Sequence, residues 1–438
     1  MGRRRNGSPP GAGMDLQTLI DNALAQTAPG RCVWVALSGG LDSSLLLTLA
    51  ADACRRHPRP LRAIHVHHGL QAAADDFEAH CRGLCERLEV PLSVARVDVD
   101  LATGQGLEGA AREARYAAFD RHVAPGESLM LAQHRDDQAE TLLLAALRGS
   151  GVRGLAGMPA ERDWQGRRLL RPLLEISRAR LEAEATRRGL AWTEDPSNAA
   201  SDQDRNYLRH AILPRLAERW PQATRSLGRS AALCGEADGL LGELAELDLV
   251  SLNGDPGCLP LDALTRLSLP RRRLLVRHCC GRLGLVLPPA RRLESLLAQL
   301  HARRDAETRI TWPGGEARIW RGHLYLMASM HPFSALWQVE WDGASPLVTP
   351  YGHCEVALAG PEGGGQPLRA MPRRGGERLR LAGRGRRDLK RLLQELEVPP
   401  WERERLVVIL AGETPVAVLV PDTGRWLALA EGWQAAAP

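Results

Sequence analysis

From about Leu16 to Arg215 the chain alternates short apolar runs with amphipathic stretches of helical period, and this alternation constrains its fold more than any other feature. Cys32–Leu37 leads into a helix through Ser43–Ala53, and Leu61–Val66 into one through Ala74–Leu88. Leu92–Val99 precedes a helix from Leu107 to His122, and Ser128–Ala132 one from Asp136 to Leu147. Because the runs show no polar alternation, both faces of the sheet must be covered. That predicts an α/β doubly wound domain with a parallel sheet, whose ligands sit beyond the carboxyl ends of the strands.

Around this domain the period changes. Residues 1–13 read as a disordered, basic, Gly/Pro-rich tail, and the α/β domain itself spans 14–217. A mostly helical domain is expected over 218–335. Leu233, Leu240, Leu241, Leu244 and Leu247 recur there at helical spacing and should face its core. Thr308–Trp312 and Ala317–Trp320 predict a hairpin around Pro313-Gly314-Gly315. Residues 336–366, ending in the Gly-rich PEGGGQ, are expected to link to a small α/β module over 367–438.

Composition removes several kinds of chemistry. Among 57 Lys and Arg residues only Lys390 is lysine, so the first 389 residues hold neither a Walker-type phosphate loop nor a Schiff-base amine. Nine cysteines, none in C-x-x-C spacing, argue against zinc ribbons, iron–sulfur sites and redox pairs. No uninterrupted apolar run reaches 18 residues and the first residues lack a signal-type apolar stretch, so a cytoplasmic location without a membrane partner is expected. A net charge of +5 permits a nucleic-acid partner without requiring one.

The strongest local signal is Ser38-Gly39-Gly40-Leu41-Asp42-Ser43, directly after the first strand and before a helix. Two glycines allow a tight turn, and the helix start aims free N–H groups and its positive dipole end at an anion. Ser38 and Ser43 add hydroxyls, and Asp42 makes sense beside phosphate if it holds a divalent cation. The alternative is an ordinary βα turn with Asp42 and Ser43 as caps. The loop resembles that of the PP-loop, or N-type, ATP pyrophosphatases, which cleave ATP between its α and β phosphates. On that resemblance Ser38, Gly39, Gly40, Leu41, Asp42 and Ser43 bind ATP with magnesium.

Further segments narrow the substrate. His65-Val66-His67-His68-Gly69-Leu70 ends the second strand on the same edge as the loop. Alternation turns His65 and His67 to the face opposite Val66, and His65 is read as lining the nucleotide pocket rather than holding a metal. Arg112, Arg115 and Tyr116 share a helix face, which is either functional or an ordinary solvated surface. Asp136, Asp137 and Glu140 crowd carboxylates at a strand end, an arrangement that is costly unless a cation or ammonium is held; capping by Asp136 is the plainer reading. Arg148-Gly149-Ser150-Gly151-Val152-Arg153 forms a cationic Gly loop suited to a nucleic-acid backbone or a lid.

To these the chain adds Arg171-Pro172-Leu173-Leu174, Glu194-Asp195-Pro196-Ser197-Asn198 and Arg205-Asn206-Tyr207-Leu208-Arg209. A basic helix through Arg384–Gln394, then Pro399-Pro400-Trp401, closes the set. Together they resemble the long form of the tRNA(Ile)-lysidine synthetase family. The resemblance implies a ligase that adenylates the wobble cytidine of tRNA(Ile) with a CAU anticodon and then joins free L-lysine to its C2. It implies magnesium on Asp42 and Asp137, and the lysine ammonium on Glu140 with Asp136 or Asp137. Asp42, Asp137, Arg112 and Arg205 would be catalytic, the two arginines stabilising phosphate or the lysine carboxylate. Arg148, Arg153, Arg386, Arg387, Lys390 and Arg391 would contact tRNA, with Arg387, Lys390 and Arg391 on one helical face. A homodimer is one assembly left open. A cytidine thiolase, which would want C-x-x-C cysteines, and a nonenzymatic ATP-sensing tRNA-binding protein are the competing readings.

Overall fold

The computed structural model describes residues 15–67, 74–98, 106–194, 203–300, 308–330, 333–361 and 367–436. The chain forms two compact units, Met1–Leu241 and Gly242–Pro438. The expected tail 1–13, His68-Gly69-Leu70, Asp195-Pro196-Ser197-Asn198 and most of PEGGGQ lie outside the described residues.

The first unit realises the alternation. After α1 (Leu16–Ala25) come β1 (Val33–Ala36), α2 (Leu41–Arg56), β2 (Leu61–His67), α3 (Ala74–Leu88), β3 (Leu92–Arg96), α4 (Gly106–His122), β4 (Ser128–Met130) and α5 (Arg135–Leu147). A single turn, α6 (Val152–Leu155), leads to β5 (Glu161–Trp164), β6 (Arg167–Leu170) and α7 (Arg178–Arg187). The sheet order is β3-β2-β1-β4-β6-β5, with only β5 antiparallel to its neighbour. Side-chain alternation sends Val33 and Val35 into a core with α1, α2, α3 and α7, while Trp34 meets Phe119 of α4 and Val123 just past its end on the other face. Helices on both faces therefore explain why β1, in the middle of the sheet, is apolar throughout. The strand order reverses between β1 and β4, so the loops that follow these two strands open onto one crevice.

Beyond α7 stand α8 (Asp204–Tyr207), a π-helical turn over Leu208–Ile212, α9 (Leu213–Arg219) and α10 (Ala223–Leu252). Pro214 accounts for the π turn: it has no N–H, and its ring would clash with the carbonyl four residues back. On α10 the expected core face is corrected. Leu241 and Leu244 are half-buried, but Leu233, Leu240 and Leu247 are 52%, 65% and 69% exposed. The buried side uses Ala231, Ala245, Leu249 and Asp248, the last paired with Arg271. Leucine spacing alone is blind to small residues and to a buried carboxylate paired with an exposed arginine.

The second unit opens with β7 (Cys258–Pro260), α11 (Leu261–Leu264), α12 (Leu269–Arg282) and α13 (Ala290–Gln299). The expected hairpin is β8 (Thr308–Trp312) with β9 (Gly315–Trp320). It is widened by β10 (His323–Met327) and β7 into a sheet of order β7-β10-β9-β8, which shares its core with α12 and α13. The region expected to be mostly helical thus also carries a four-stranded sheet.

Residues 336–366 do not behave as a linker. They hold β11 (Val339–Trp341), β12 (Leu347–Thr349), β13 (Gly352–Cys354) and β14 (Ala357–Ala359), and Trp341, Leu347, Cys354, Val356 and Leu358 enter a core with Leu368, Val407 and Ile409. Turns such as Asp342-Gly343 cut the segment into strands too short to show a period, which hid it from the sequence. The module continues with β15 (Leu368–Pro372), β16 (Arg378–Leu381), β17 (Gly385–Asp388), α14 (Leu389–Glu395) and α15 (Pro400–Arg403). It ends with β18 (Val407–Ala411), β19 (Thr414–Val420), β20 (Arg425–Leu429) and β21 (Gln434–Ala436). Its main sheet, β11-β15-β18-β19-β20, separates two cores: Val407 and Ile409 face one, Val408 and Leu410 the other, with Leu389, Leu392 and Leu393 of α14.

Candidate active site

At the end of β1 the chain turns through Ser38-Gly39-Gly40 into α2. Gly39 adopts φ +89°, and a Cβ there would lie 3.1 Å from Phe77 and 3.3 Å from Cys81 of α3, so the turn requires glycine on two counts. Gly40 caps α2 in extended geometry, and no side chain satisfies the helix start. The two serines brace the loop from within: their hydroxyls are 2.9 Å apart, Ser38 N–H donates to Ser43 Oγ at 3.1 Å, and Ser43 Oγ donates to the Gly40 carbonyl at 3.1 Å. Neither Asp42 nor Ser43 caps the helix, so the capping roles that the plain-turn alternative gave them are not filled. His65 stands beneath the loop, 4% exposed, its Nδ1 2.9 Å from the Leu37 carbonyl. Burial holds its pKa below the usual histidine value, so it is a neutral support.

The loop after β4 supplies the opposite wall. His134 precedes α5, and its N–H donates to Asp137 Oδ2 at 3.0 Å, so the reciprocal cap comes from Asp137 and not, as the capping reading had it, from Asp136. The buried His134 ring is ringed by carboxylates. Its Nε2 is 3.7 Å from Asp42 and 3.5 Å from Asp137, and its Nδ1 is 3.6 Å from Asp136. Burial works against its charge, but the surrounding carboxylates outweigh it and raise the His134 pKa. Burial raises the Asp42 pKa, opposed by His134 and Arg178.

Two arginines outside the expected site residues, Arg178 and Arg209, complete the cluster. Arg178, at the start of α7, pairs through its guanidinium with Asp42, and its backbone N–H donates to Asp136 at 2.9 Å. Arg209, in the π turn, donates through Nε to Glu140 at 2.7 Å and through Nη2 to both Glu140 at 3.0 Å and Asp137 at 2.9 Å. Arg205 approaches Glu140 at 3.6 Å and donates to Thr141 at 3.2 Å. Glu140 is completely buried, which raises its pKa, while Arg209 pulls it back. Asp42, Asp137, Glu140 and Arg205 are thus brought together, whereas Asp136 faces His134 and Arg178. Charge balance was the available signal for Arg178 and Arg209, since so many carboxylates demand cations from elsewhere in the chain.

Arg112 is placed in a different group. It lies over the Tyr116 ring at 5.0 Å, with Arg162 over the same ring at 5.9 Å. Buried Arg171 lies nearby, donating to Gln133 at 3.0 Å and the Pro159 carbonyl at 2.7 Å. Arg148 and Arg153 are exposed, Arg148 3.8 Å from Asp204, and the Gly loop between them ends in the single turn of α6. The tail basic segment is corrected. Arg386 and Arg387 lie on β17, paired with Arg380 and Leu379, and the helix starts only at Leu389 because Asp388 caps it by accepting from Lys390 and Arg391 N–H groups. Arg387 therefore cannot share a helical face with Lys390 and Arg391, although all four cations are exposed.

Among the described residues no group of three or more His, Cys, Asp or Glu side chains is arranged to hold a metal by itself. Asp42 Oδ1 is nevertheless buried without a hydrogen-bond partner, at the mouth of the phosphate-type loop. An orphaned carboxylate oxygen there fits a cation whose other ligands are phosphate oxygens and water. All nine cysteines are free, and no described helix is long and apolar enough to cross a membrane.

A PP-loop domain model matches residues 14–216, a TilS substrate binding domain model 259–325 and a TilS substrate C-terminal domain model 368–425. The chain is 44% identical over 422 residues to tRNA(Ile)-lysidine synthase from Alkalilimnicola ehrlichii, covering 94% of each. It is 46% identical over 421 residues to the enzyme of that name from Pseudomonas aeruginosa, covering 92% of each. Among solved structures it is similar to the U34-tRNA thiolase NcsA from Methanococcus maripaludis with its [4Fe-4S] cluster, at 18% identity and a TM-score of 0.40 over 49% of this chain and 76% of that one. With identity of this order running through nearly the whole length of both curated relatives, the chain belongs to the tRNA(Ile)-lysidine synthase family.

Proposed function

We propose that this chain makes lysidine: it spends ATP to attach free L-lysine to C2 of the wobble cytidine in tRNA(Ile) bearing a CAU anticodon. The observation that carries the reading is the crevice between the loops after β1 and β4, where an anion-cradling turn faces Asp42 Oδ1, buried and unpartnered, across from Asp137 and Glu140.

The reaction divides into two substitutions. The C2 oxygen of cytidine attacks the α-phosphorus of ATP, forming an adenylated cytidine and releasing pyrophosphate. The ε-amine of lysine then attacks C2, the C2–O bond breaks, and AMP leaves with the oxygen while the amine sheds its proton. Adenylation turns a poor leaving group into a good one, which is why the chain uses ATP at all.

The chain's own groups take the following parts. The Ser38–Ser43 turn and the start of α2 hold the phosphates through backbone N–H groups and hydroxyls. Asp42, with Asp137, holds magnesium, which neutralises phosphate charge when bound. Asp137 and Glu140 receive the lysine ammonium. Arg205 stabilises the lysine carboxylate or a phosphate, and Arg112, on its Tyr116 platform, is the second candidate for that part. Arg148, Arg153, Arg386, Arg387, Lys390 and Arg391 contact tRNA phosphates. These substrates put the enzyme in the cytoplasm.

Incubating the protein with ATP, labelled lysine and the tRNA, followed by mass spectrometry of the released nucleosides, tests the proposal. Lysidine with stoichiometric AMP is expected. Labelled lysine that never enters RNA would discard it.

A further inference from the structure

Glu140 is 0% exposed, and Arg209 engages both of its oxygens. The Arg209 side chain is 34% exposed and also holds Asp137, so the guanidinium is the outer member of the cluster. An ammonium group arriving from solvent meets the Arg209 guanidinium, with Arg205 beside it at 3.6 Å from Glu140, and takes both Glu140 and Asp137 by standing where the Arg209 guanidinium now stands.

We propose that Arg209 is a specificity-determining residue for the amino-acid substrate: its guanidinium occupies the ammonium site until free lysine displaces it. This rests on the reading of Asp137 and Glu140 as the ammonium site.

Exchanging one cation for another leaves neither carboxylate unpaired, so the swap avoids the penalty of stranding a buried charge. Arg209 is held in the π turn Leu208–Ile212, which Pro214 keeps out of α-helical register, so release must come from the side chain itself. Its long flexible stem and part-exposed guanidinium let it swing off Glu140 without any change of the backbone. An ammonium has three N–H donors, as many bonds as Arg209 makes here, but Arg209 is tethered to the chain and a free ion is not, so a bare ammonium gains nothing by the exchange. The displacing molecule must gain further contacts, which lysine has in its α-carboxylate and α-amine. Discrimination thus comes from competition inside the chain as well as from the fit of the pocket.

Equilibrium dialysis of the full-length protein with labelled lysine and labelled n-butylamine, without ATP or tRNA, tests this. Wild type is expected to bind lysine and not butylammonium. With the closed pairing populated about nine-tenths of the time or more, Arg209→Gln should bind lysine about tenfold tighter or better and should now take butylammonium. Arg209→Lys, which keeps a one-point competitor and serves if the glutamine variant does not fold, should fall between the two. Weaker lysine binding in Arg209→Gln or Arg209→Lys, with butylammonium still excluded, would overturn the proposal and make Arg209 a holder of lysine. Glu140→Gln separates the two layers: it should lose lysine binding, and wild-type lysine affinity in that variant would refute the ammonium site itself, whatever Arg209 does.

Discussion

At the scale of single residues, the crevice depends on positions where one atom more or less decides the outcome. Gly39→Ala forces an L residue to φ +89° and sets its Cβ against Phe77 and Cys81. The variant should lose roughly 1–2 kcal/mol of stability from the left-handed backbone alone, read in a urea melt, and most of its pyrophosphate release. Asp42→Asn keeps the shape and removes the charge. It should abolish AMP release while leaving tRNA affinity nearly unchanged in a filter-binding assay; loss of tRNA binding instead would mean that Asp42 serves the RNA. The glycine turn, Asp42, Asp137 and Glu140 were legible in the sequence because each lies in a local motif with its own chemistry. Arg178 was not: it meets Asp42 across 136 residues of chain, and no periodicity or spacing connects them. Arg209 was visible as a motif letter but not as the partner of Glu140, because only folding brings the π turn to α5.

At the scale of elements, sequence period found the strands and helices of the α/β unit because each is long enough to show one. It missed the strands within 336–366, which are three residues each, and it extended the tail helix over Arg386 and Arg387, where strand pairing with β16 overrides helical composition. The tail prediction changes accordingly: the cations divide between a hairpin and a helix start, and Arg386 also lines a groove of about 410 Å³ with Arg369, Arg374 and Arg378. Neutralising three of Arg386, Arg387, Lys390 and Arg391 should reduce the salt slope of tRNA binding by about 2–3, near 0.9 per lost phosphate contact. An unchanged slope would leave the patch as solvated surface. Docking of α7 on α2 has its own signature. Glu184 binds Arg187 and Arg188, and Arg188 reaches Asp52 of α2 at 2.7 Å. The hydrogen bond from Arg187, with that from Arg188, lowers the Glu184 pKa to about 2 from 4.5. A carboxylate depressed in the folded state stabilises above its unfolded pKa and loses that contribution as pH falls through the folded one. The melting-temperature gap between wild type and Glu184→Gln should therefore be full near pH 7 and close between about pH 4.5 and 2.

At the scale of the whole molecule, the catalytic crevice and the basic tail belong to separate compact units, one built on a parallel sheet and the other on antiparallel ones. The division suits the proposed substrate, which is much larger than the atoms that react: on the proposed reading the first unit handles ATP, lysine and one base, and the second offers exposed cations to the rest of the tRNA. The strands over 339–359 add a boundary condition. The family match for the last module begins at residue 368, yet β11 hydrogen-bonds to β15, and the apolar side chains of that segment roof one face of its sheet. A fragment cut at residue 367 would bare the long edge of β15 together with an uncovered apolar face, the combination that invites strand-to-strand aggregation. Such a fragment should elute as soluble aggregate on gel filtration, while one starting at Phe333 should elute as a discrete species. The piece of chain that must be present for this module to close its edges is then expected to be 333–436, with the 357–359 strand paired to the last one, rather than 368–425 alone.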